Sequence, residues 1–197
     1  MLNIVLFGGP GAGKGTQASL LTETFGLMHL STGDMLRKEI ALGSELGKIA
    51  GGIISNGELM PDELVIDMIR EHIRQYPEAK GFIFDGFPRT QAQALALDKL
   101  LEEKNQQITA MVALDVSVDE LTTRLLKRGE VSGRADDRSI DVIQNRIEVY
   151  HHKTAPIIDY YRAQGKYHPV DGLGSIEDIF ARLKQVILTL KPLAFQQ

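Results

Sequence analysis

An α/β fold, with a parallel sheet covered by helices on both faces, is predicted by two features of this sequence. Short apolar runs alternate with helix-patterned segments, and a glycine-rich loop joins the first run to the first helix. The 197 residues, 43% apolar and 24% charged, suit one domain with a sizeable core. Cysteine is absent, which excludes disulfides, thiol catalysis and cysteine-ligated zinc or iron–sulfur clusters. The formal net charge of −4 offers no general attraction to nucleic acid or to an anionic membrane. No apolar run approaches the roughly 18 residues of a membrane span, and Met1-Leu2-Asn3-Ile4 lacks the basic region of a signal peptide. A soluble, cytoplasmic protein is expected.

Leu2 to Phe7 is an apolar run ending in glycines and reads as a buried strand. Lys14 to Phe25 reads as a helix closed by Gly26. Further strands are expected at Met28-His29-Leu30, Phe82-Ile83-Phe84 and Met111-Val112-Ala113-Leu114. Helical patterns occupy Asp62 to Gln75, Gln91 to Glu103, Val118 to Lys127, Ser139 to about Tyr161, and Ser175 to Leu190. Ser31, Ser117 and Ser175 each stand three residues before an acidic residue, the spacing of a capping box. Pro156 is expected to kink or interrupt the helix begun near Ser139. Two segments fit poorly in a minimal alternating fold and read as excursions: Ser31 to Met60, helical yet rich in glycine, and the polar stretch Gly129 to Asp137. Lys191 to Gln197 has no evident partner and is expected to fray.

The strongest chemical signal is Gly8-Gly9-Pro10-Gly11-Ala12-Gly13-Lys14-Gly15-Thr16, which follows the first strand and opens the first helix. It satisfies G-x-x-x-x-G-K, with the hydroxyl residue one place later than the strict pattern because Gly15 intervenes. Glycines let successive N–H groups converge on phosphate oxygens, and the helix N-terminus adds partial positive charge there. Lys14 can reach the β- and γ-phosphates, and Thr16 can touch magnesium directly or through water. A bare glycine-rich turn is the bland alternative, and the strand–loop–helix context argues against it. Asp85, following Phe82-Ile83-Phe84, is the candidate acidic residue for magnesium, against the alternative of a turn or capping aspartate.

A phosphate loop alone does not name the acceptor. No N-K-x-D segment reads guanine, and no H-R-D loop marks a protein kinase. Arginines are instead dispersed over separate segments: Arg37, Arg89, Arg124, Arg128, Arg134, Arg138 and Arg146. Singly, each reads as a solvated surface charge. Together beside the loop they suggest a site that surrounds several phosphates, because a planar guanidinium captures phosphate in bidentate fashion. No general base stands out, and none is needed if the acceptor is an already ionised phosphate oxygen.

Four segments resemble the adenylate kinase family: the phosphate loop, Ser31-Thr32-Gly33-Asp34-Met35-Leu36-Arg37, Asp85-Gly86-Phe87-Pro88-Arg89-Thr90, and Gly133-Arg134-Ala135-Asp136-Asp137. The likeness covers nearly the whole chain. It implies a P-loop NTPase fold with a five-stranded parallel sheet, a small monophosphate-binding lobe at 31–60 and a short lid at 127–137, leaving 1–30, 61–126 and 138–197 as core. It also implies reversible phosphoryl transfer from MgATP to AMP. Gly11, Ala12, Gly13, Lys14, Gly15 and Thr16 would hold ATP phosphates. Arg128 would face ATP from the lid, and the Gly174 backbone would lie near its adenine.

By the same resemblance Thr32, Arg37, Glu58, Leu59, Met60, Gly86, Phe87, Pro88, Arg89 and Gln93 would form the AMP site. Arg134 and Arg146 would reach phosphates at the reaction centre, and Asp85 would orient the water shell of magnesium. Arg124 and Arg138 are further candidate phosphate ligands. The long insertion that carries zinc ligands in some bacterial members is absent, and neither cysteines nor suitably spaced histidines replace it, so no zinc site is expected. None of the five histidines is expected to be catalytic.

The rival within this fold is a UMP/CMP kinase. Thr32 stands where pyrimidine-selective relatives typically have alanine, and Gln93 where they typically have asparagine. A glutamine amide can donate to and accept from the edge of adenine, which favours AMP. A reading from another class is an ATP sensor that transfers nothing, and the set Arg37, Arg89, Arg134 and Arg146 argues against it. Small-molecule nucleotides are the expected partners, with no nucleic acid and no membrane, and a monomer is expected.

Overall fold

A computed structural model describes residues 1–137 and 139–194, with side chains through 190. The expectation for Arg138 therefore lies outside the described residues. Five parallel strands form one sheet: β1 (Ile4–Gly8), β2 (Met28–Ser31), β3 (Phe82–Asp85), β4 (Ala110–Asp115) and β5 (Tyr167–Asp171), in the spatial order β2-β3-β1-β4-β5. This is the α/β architecture anticipated from the alternating pattern.

Side chains of β1 alternate between two cores because successive residues of a strand point to opposite faces. Ile4 and Leu6 pack on one face with Ile83, Val112 and Leu114. Val5 and Phe7 pack on the other with Phe82, Phe84, Met111 and Ala113. Both faces are covered, so the central strands are apolar throughout, and each fully buried side chain contributes roughly 1.5–3 kcal/mol. The first face is closed by α1 (Lys14–Phe25), α6 (Val118–Ser132), α7 (Ile140–Val149) and α9 (Ile176–Ala194). The second is closed by α4 (Asp62–Gln75), α5 (Gln91–Glu102) and α8 (Ile157–Ala163).

β5 has no counterpart among the strands located from the sequence. Its run Tyr167-His168-Pro169-Val170-Asp171 holds a single strongly buried residue, Val170. Pro169 is tolerated because β5 is an edge strand. The excursion after β2 is a pair of helices, α2 (Thr32–Leu42) and α3 (Glu45–Ser55), packed on each other. Ser31 caps α2 and Ser117 caps α6 through the backbone N–H three residues on, and Ser175 does the same for α9 while Asp178 accepts from its N–H in return. Ser44 and Thr90 cap α3 and α5 in the same way.

Two helix boundaries differ from expectation. The polar residues after Lys127 continue α6 to Ser132, and a single 3-10 turn follows at Ala135–Asp137. The helix begun near Ser139 is broken as expected, but the break starts ahead of Pro156, in a π-helical turn at Tyr150–Thr154. Proline has no N–H to continue an ordinary ladder, and the backbone widens so that the Ala155 N–H donates to the Tyr150 carbonyl at 2.7 Å. At the C-terminus the helix continues through Ala194, so the part of the fraying expectation that falls on 195–197 lies outside the described residues.

Candidate active site

Parallel strands deliver their C-terminal ends to one edge of the sheet, and in such folds ligands bind in the crevice beyond that edge. A cavity of about 550 Å³ lies there. Its wall begins with the loop after β1, where Gly11, Ala12, Gly13, Lys14, Gly15 and Thr16 all line it. Gly13 holds φ at 94°, a left-handed conformation that opens α1 without a side-chain cap and leaves the first-turn N–H groups directed at the cavity end.

Lys14 folds back over its own loop. Its Nζ donates to the carbonyls of Gly8 at 2.8 Å and Gly9 at 2.9 Å. Burial, with Arg89, Arg146 and Arg128 nearby, pushes its ammonium down to about 8 despite the opposing attraction of Asp85. Asp85 closes β3 and is itself buried. Its Oδ2 lies 3.3 Å from His29 Nε2, and a β-carbon placed on Gly15 would stand 3.9 Å from that same oxygen. An acidic oxygen therefore sits beside the loop, and the exposed Thr16 at the start of α1 lines the same cavity.

Opposite the loop, the turn after β3 runs Gly86-Phe87-Pro88-Arg89, with a cis peptide before Pro88. Gly86 has φ 75°, and a β-carbon there would fall 2.8 Å from Thr32 Oγ1 and 2.8 Å from an Arg89 guanidinium nitrogen. Only glycine leaves room for both neighbours. The Thr32 hydroxyl donates to the Gly86 carbonyl at 2.8 Å, and Arg89 Nε donates to the same carbonyl at 2.7 Å. Desolvation and the neighbouring Arg146 press the Arg89 guanidinium below its ordinary value. Gln93, nearly fully buried, accepts from the Arg89 N–H at 2.7 Å and donates to Asp62 at 2.8 Å. Arg37 on α2 pairs with Asp34, and the segment Glu58-Leu59-Met60 completes this side of the wall.

The remaining arginines come from α6, the 3-10 turn region and α7. Asp137 grips Arg128 with both oxygens, at 2.6 and 3.0 Å, and also bonds Arg146. Arg146 reaches the Asp136 carboxylate at 3.0 Å and the Asp136 carbonyl at 3.1 Å. Burial alone would raise the Asp137 carboxyl, but the bound Arg128 and then Arg146 outweigh it and hold it below the usual range. Arg134 sits 3.9 Å from Asp34, and desolvation with Arg37 and Arg128 lowers its guanidinium.

The structure thus brings Lys14, Asp85, Thr32, Arg37, Arg89, Gln93, Arg128, Arg134 and Arg146 to one cavity from six segments. Gly174 and Arg124 are not among its lining residues. Gly174 occupies the turn between β5 and α9, and Arg124 is held by Glu120 at 2.7 Å and the Gly172 carbonyl at 3.1 Å. Several participants carry no role in the sequence reading. Asp136 and Asp137 stand in the segment Gly133-Arg134-Ala135-Asp136-Asp137, in which a role is expected from the sequence for Arg134 alone. Tyr150 and Thr154 reach the wall through the π-helical turn, which no local pattern announces.

A family model described as adenylate kinase matches residues 6–166. An adenylate kinase of Phocaeicola vulgatus is 55% identical, covering 92% of this chain and 95% of its own length. One from Parabacteroides distasonis is 50% identical, covering 97% of this chain and 100% of its own length. One from Stenotrophomonas maltophilia is 46% identical, covering 94% and 99%. Likeness at this level, running from the phosphate loop to the last helix, leaves one conclusion: the chain belongs to the adenylate kinase family.

Proposed function

We propose that the chain catalyses reversible transfer of the γ-phosphoryl group of ATP to AMP, giving two ADP, and so balances adenine nucleotides. The observation that carries the reading is a single cavity in which a phosphate loop faces Arg37 and Arg89, with Arg128, Arg134 and Arg146 also on its wall. Two anionic ligands meeting tail to tail need cations on both sides.

In this reading Gly11 to Thr16 bind the ATP phosphates through backbone N–H groups, and Lys14 leaves its loop carbonyls for the β- and γ-oxygens. Arg128 faces ATP, and its adenine extends beyond the cavity toward the backbone of Gly174. That turn adjoins both α6, through Arg124 and the Gly172 carbonyl, and α1, through Gln17 and the Ile176 carbonyl. Arg37 and Arg89 hold the AMP phosphate, while Thr32, Gln93 and residues 58–60 line its base. Gly86, Phe87 and Pro88 set the turn that aims Arg89. Arg134 and Arg146 neutralise charge on the phosphoryl group in flight. An AMP phosphate oxygen attacks the γ-phosphorus as the bond to the β,γ-bridging oxygen breaks, and ADP leaves. The nucleophile is already ionised, so alignment and charge stabilisation supply the catalysis.

Thr16 and Asp85 offer oxygen donors beside the loop, which suits magnesium. Bound with ATP, the ion supplies neutralisation of phosphate charge. We also propose a cytoplasmic monomer. One chain lines the whole cavity, and among the described residues no helix is long and apolar enough to cross a membrane. Incubating the protein with ADP and magnesium tests the function: AMP and ATP should appear in equal amounts. An inert mixture would leave an ATP sensor as the better reading, and a panel of monophosphate acceptors with CMP or UMP ahead of AMP would overturn the choice of base.

A further inference from the structure

Gln93 is aimed at the cavity from the first turn of α5, and the side chain that controls it lies behind, outside the cavity wall. Asp62, in the first turn of α4, accepts from Gln93 Nε2 with Oδ1 at 2.8 Å and from the Thr90 hydroxyl with Oδ2 at 2.9 Å. Thr90 in turn accepts from the Gln93 N–H at 3.2 Å, and Gln93 Oε1 accepts from the Arg89 N–H at 2.7 Å. Both Asp62 oxygens are thus committed, one to each partner.

A primary amide carries two N–H donors and two acceptor lone pairs, and it can flip to exchange them. Here the flip is blocked at both ends. A backbone N–H can only donate, so Oε1 must face Arg89; an ionised carboxylate can only accept, so Nε2 must face Asp62. One donor and one acceptor remain for a ligand, in a fixed order. A 6-aminopurine offers a donor at its amino group and an acceptor at N1. A 6-oxopurine offers the reverse, an acceptor at O6 and a donor at N1.

We infer that Asp62 is a specificity-determining positioning residue: by fixing the polarity of the Gln93 amide together with the Arg89 N–H, it makes the pocket accept a 6-aminopurine monophosphate and refuse its 6-oxo counterpart. This rests on the proposed reading that Gln93 faces the base of AMP. Asp62 also follows the segment 58–60 with only Pro61 between, so the same carboxylate ties that part of the wall to Thr90 and Gln93, just after the turn bearing Arg89. Stranding buried polar groups against the wrong base is what gives such pockets their discrimination.

The test compares kcat/KM for AMP and for inosine monophosphate on the same preparation, so that any loss of folded protein cancels in the ratio. Asp62→Asn supplies a carboxamide that can present a donor where Gln93 Nε2 now meets an obligate acceptor, so the Arg89 N–H is left as the only lock on the amide. The ratio should fall about tenfold, mostly through the KM of the monophosphate, with the KM for ATP unchanged. Asp62→Glu, which keeps an acceptor, should restore much of the ratio. In a Gln93→Leu background, Asp62→Asn should have no further effect on it. A ratio within twofold of wild type in Asp62→Asn, while Gln93→Leu collapses it, overturns the role of Asp62 and leaves the base-reading standing. A ratio untouched by Gln93→Leu overturns both.

Discussion

At the loop after β1, positive potential comes from backbone N–H groups, a helix end and one lysine, all carried by consecutive residues. Across the cavity it comes from guanidinium groups on α2, the turn after β3, α6 and α7. The first arrangement is fixed by chain conformation, since glycines set the path and the helix axis sets the field. The second depends on long, flexible side chains that need anchors, and apart from Arg89, held by the Gly86 carbonyl, the anchors are acidic: Asp34 for Arg37, and Asp136 and Asp137 for Arg146 with Arg128. Charge built from backbone is preorganised without partners, whereas charge built from side chains must be held by carbonyls or by opposite charge until phosphate replaces them.

Removing the one long side chain on the backbone-built side should have the largest effect. Lys14→Met should lower turnover in ADP disproportionation by roughly 10²–10³-fold. Melting temperature should not fall, because the loop path is set by glycines and a buried ammonium costs stability at neutral pH; a large drop would mean that the lysine bonds to Gly8 and Gly9 hold the loop. On the opposite side, Arg89→Ala should cost roughly 10²-fold in kcat/KM for AMP while ATP affinity stays within a few-fold. Equal losses for both nucleotides would erase the division between the two sides.

The anchors give a stability readout. Asp137→Asn leaves Arg146 and Arg128 short of their counter-charge. With Arg128 itself 34% exposed, solvent screens part of the loss, so the cost is about 2 kcal/mol, or about 6 °C in melting temperature. The sign with pH follows from a depressed carboxyl: the pair's contribution is full above the ordinary carboxylate value of 3.8 and is lost as pH falls below it. Wild type should therefore lose more stability than Asp137→Asn as the solution is acidified through that range.

For Lys14 the sign is reversed. Its folded value near 8 lies below the ordinary 10.5, so the charged form costs stability at neutral pH and that cost is relieved as pH rises between the two. Near pH 9 the free enzyme holds a largely neutral Lys14, and ATP phosphates should draw a proton back onto it. Calorimetry in buffers of different ionisation heat should register uptake of a fraction of a proton in wild type and none in Lys14→Met. The smallest effect belongs to Gln93→Asn. Shortened by one methylene, the amide cannot hold Asp62 and the Arg89 N–H together, and the preference for AMP over CMP should relax by roughly tenfold or less. An unchanged preference would take Gln93 out of base reading.

Local pattern was enough to locate β1 to β4, the serine caps and the phosphate loop, because each depends on residues within one turn or one strand of each other. Ile4, Leu6 and their alternating neighbours announce a strand buried on both faces, and Gly13-Lys14 announces a helix opened by a phosphate-binding turn. β5 escaped because an edge strand needs little apolar content, and the π-helical turn at Tyr150–Thr154 because its cause, Pro156, lies beyond it. The arginines were visible as a set, yet nothing in their spacing separates Arg128, on the cavity wall, from Arg124, one turn earlier and spent on Glu120 and Gly172.

Those last distinctions belong to tertiary structure alone. Whether a guanidinium faces a cavity, a carboxylate or a carbonyl depends on what another segment of the chain brings within about 3 Å, and such contacts have no signature in neighbouring residues. The same holds for Asp62, an ordinary first-turn acid by its local sequence and a partner of Gln93 only because α4 and α5 start side by side. Propensity, periodicity and turn chemistry act over a few residues and are written along the chain; the pairing of polar groups across 9, 28 or 31 positions is decided when the sheet closes.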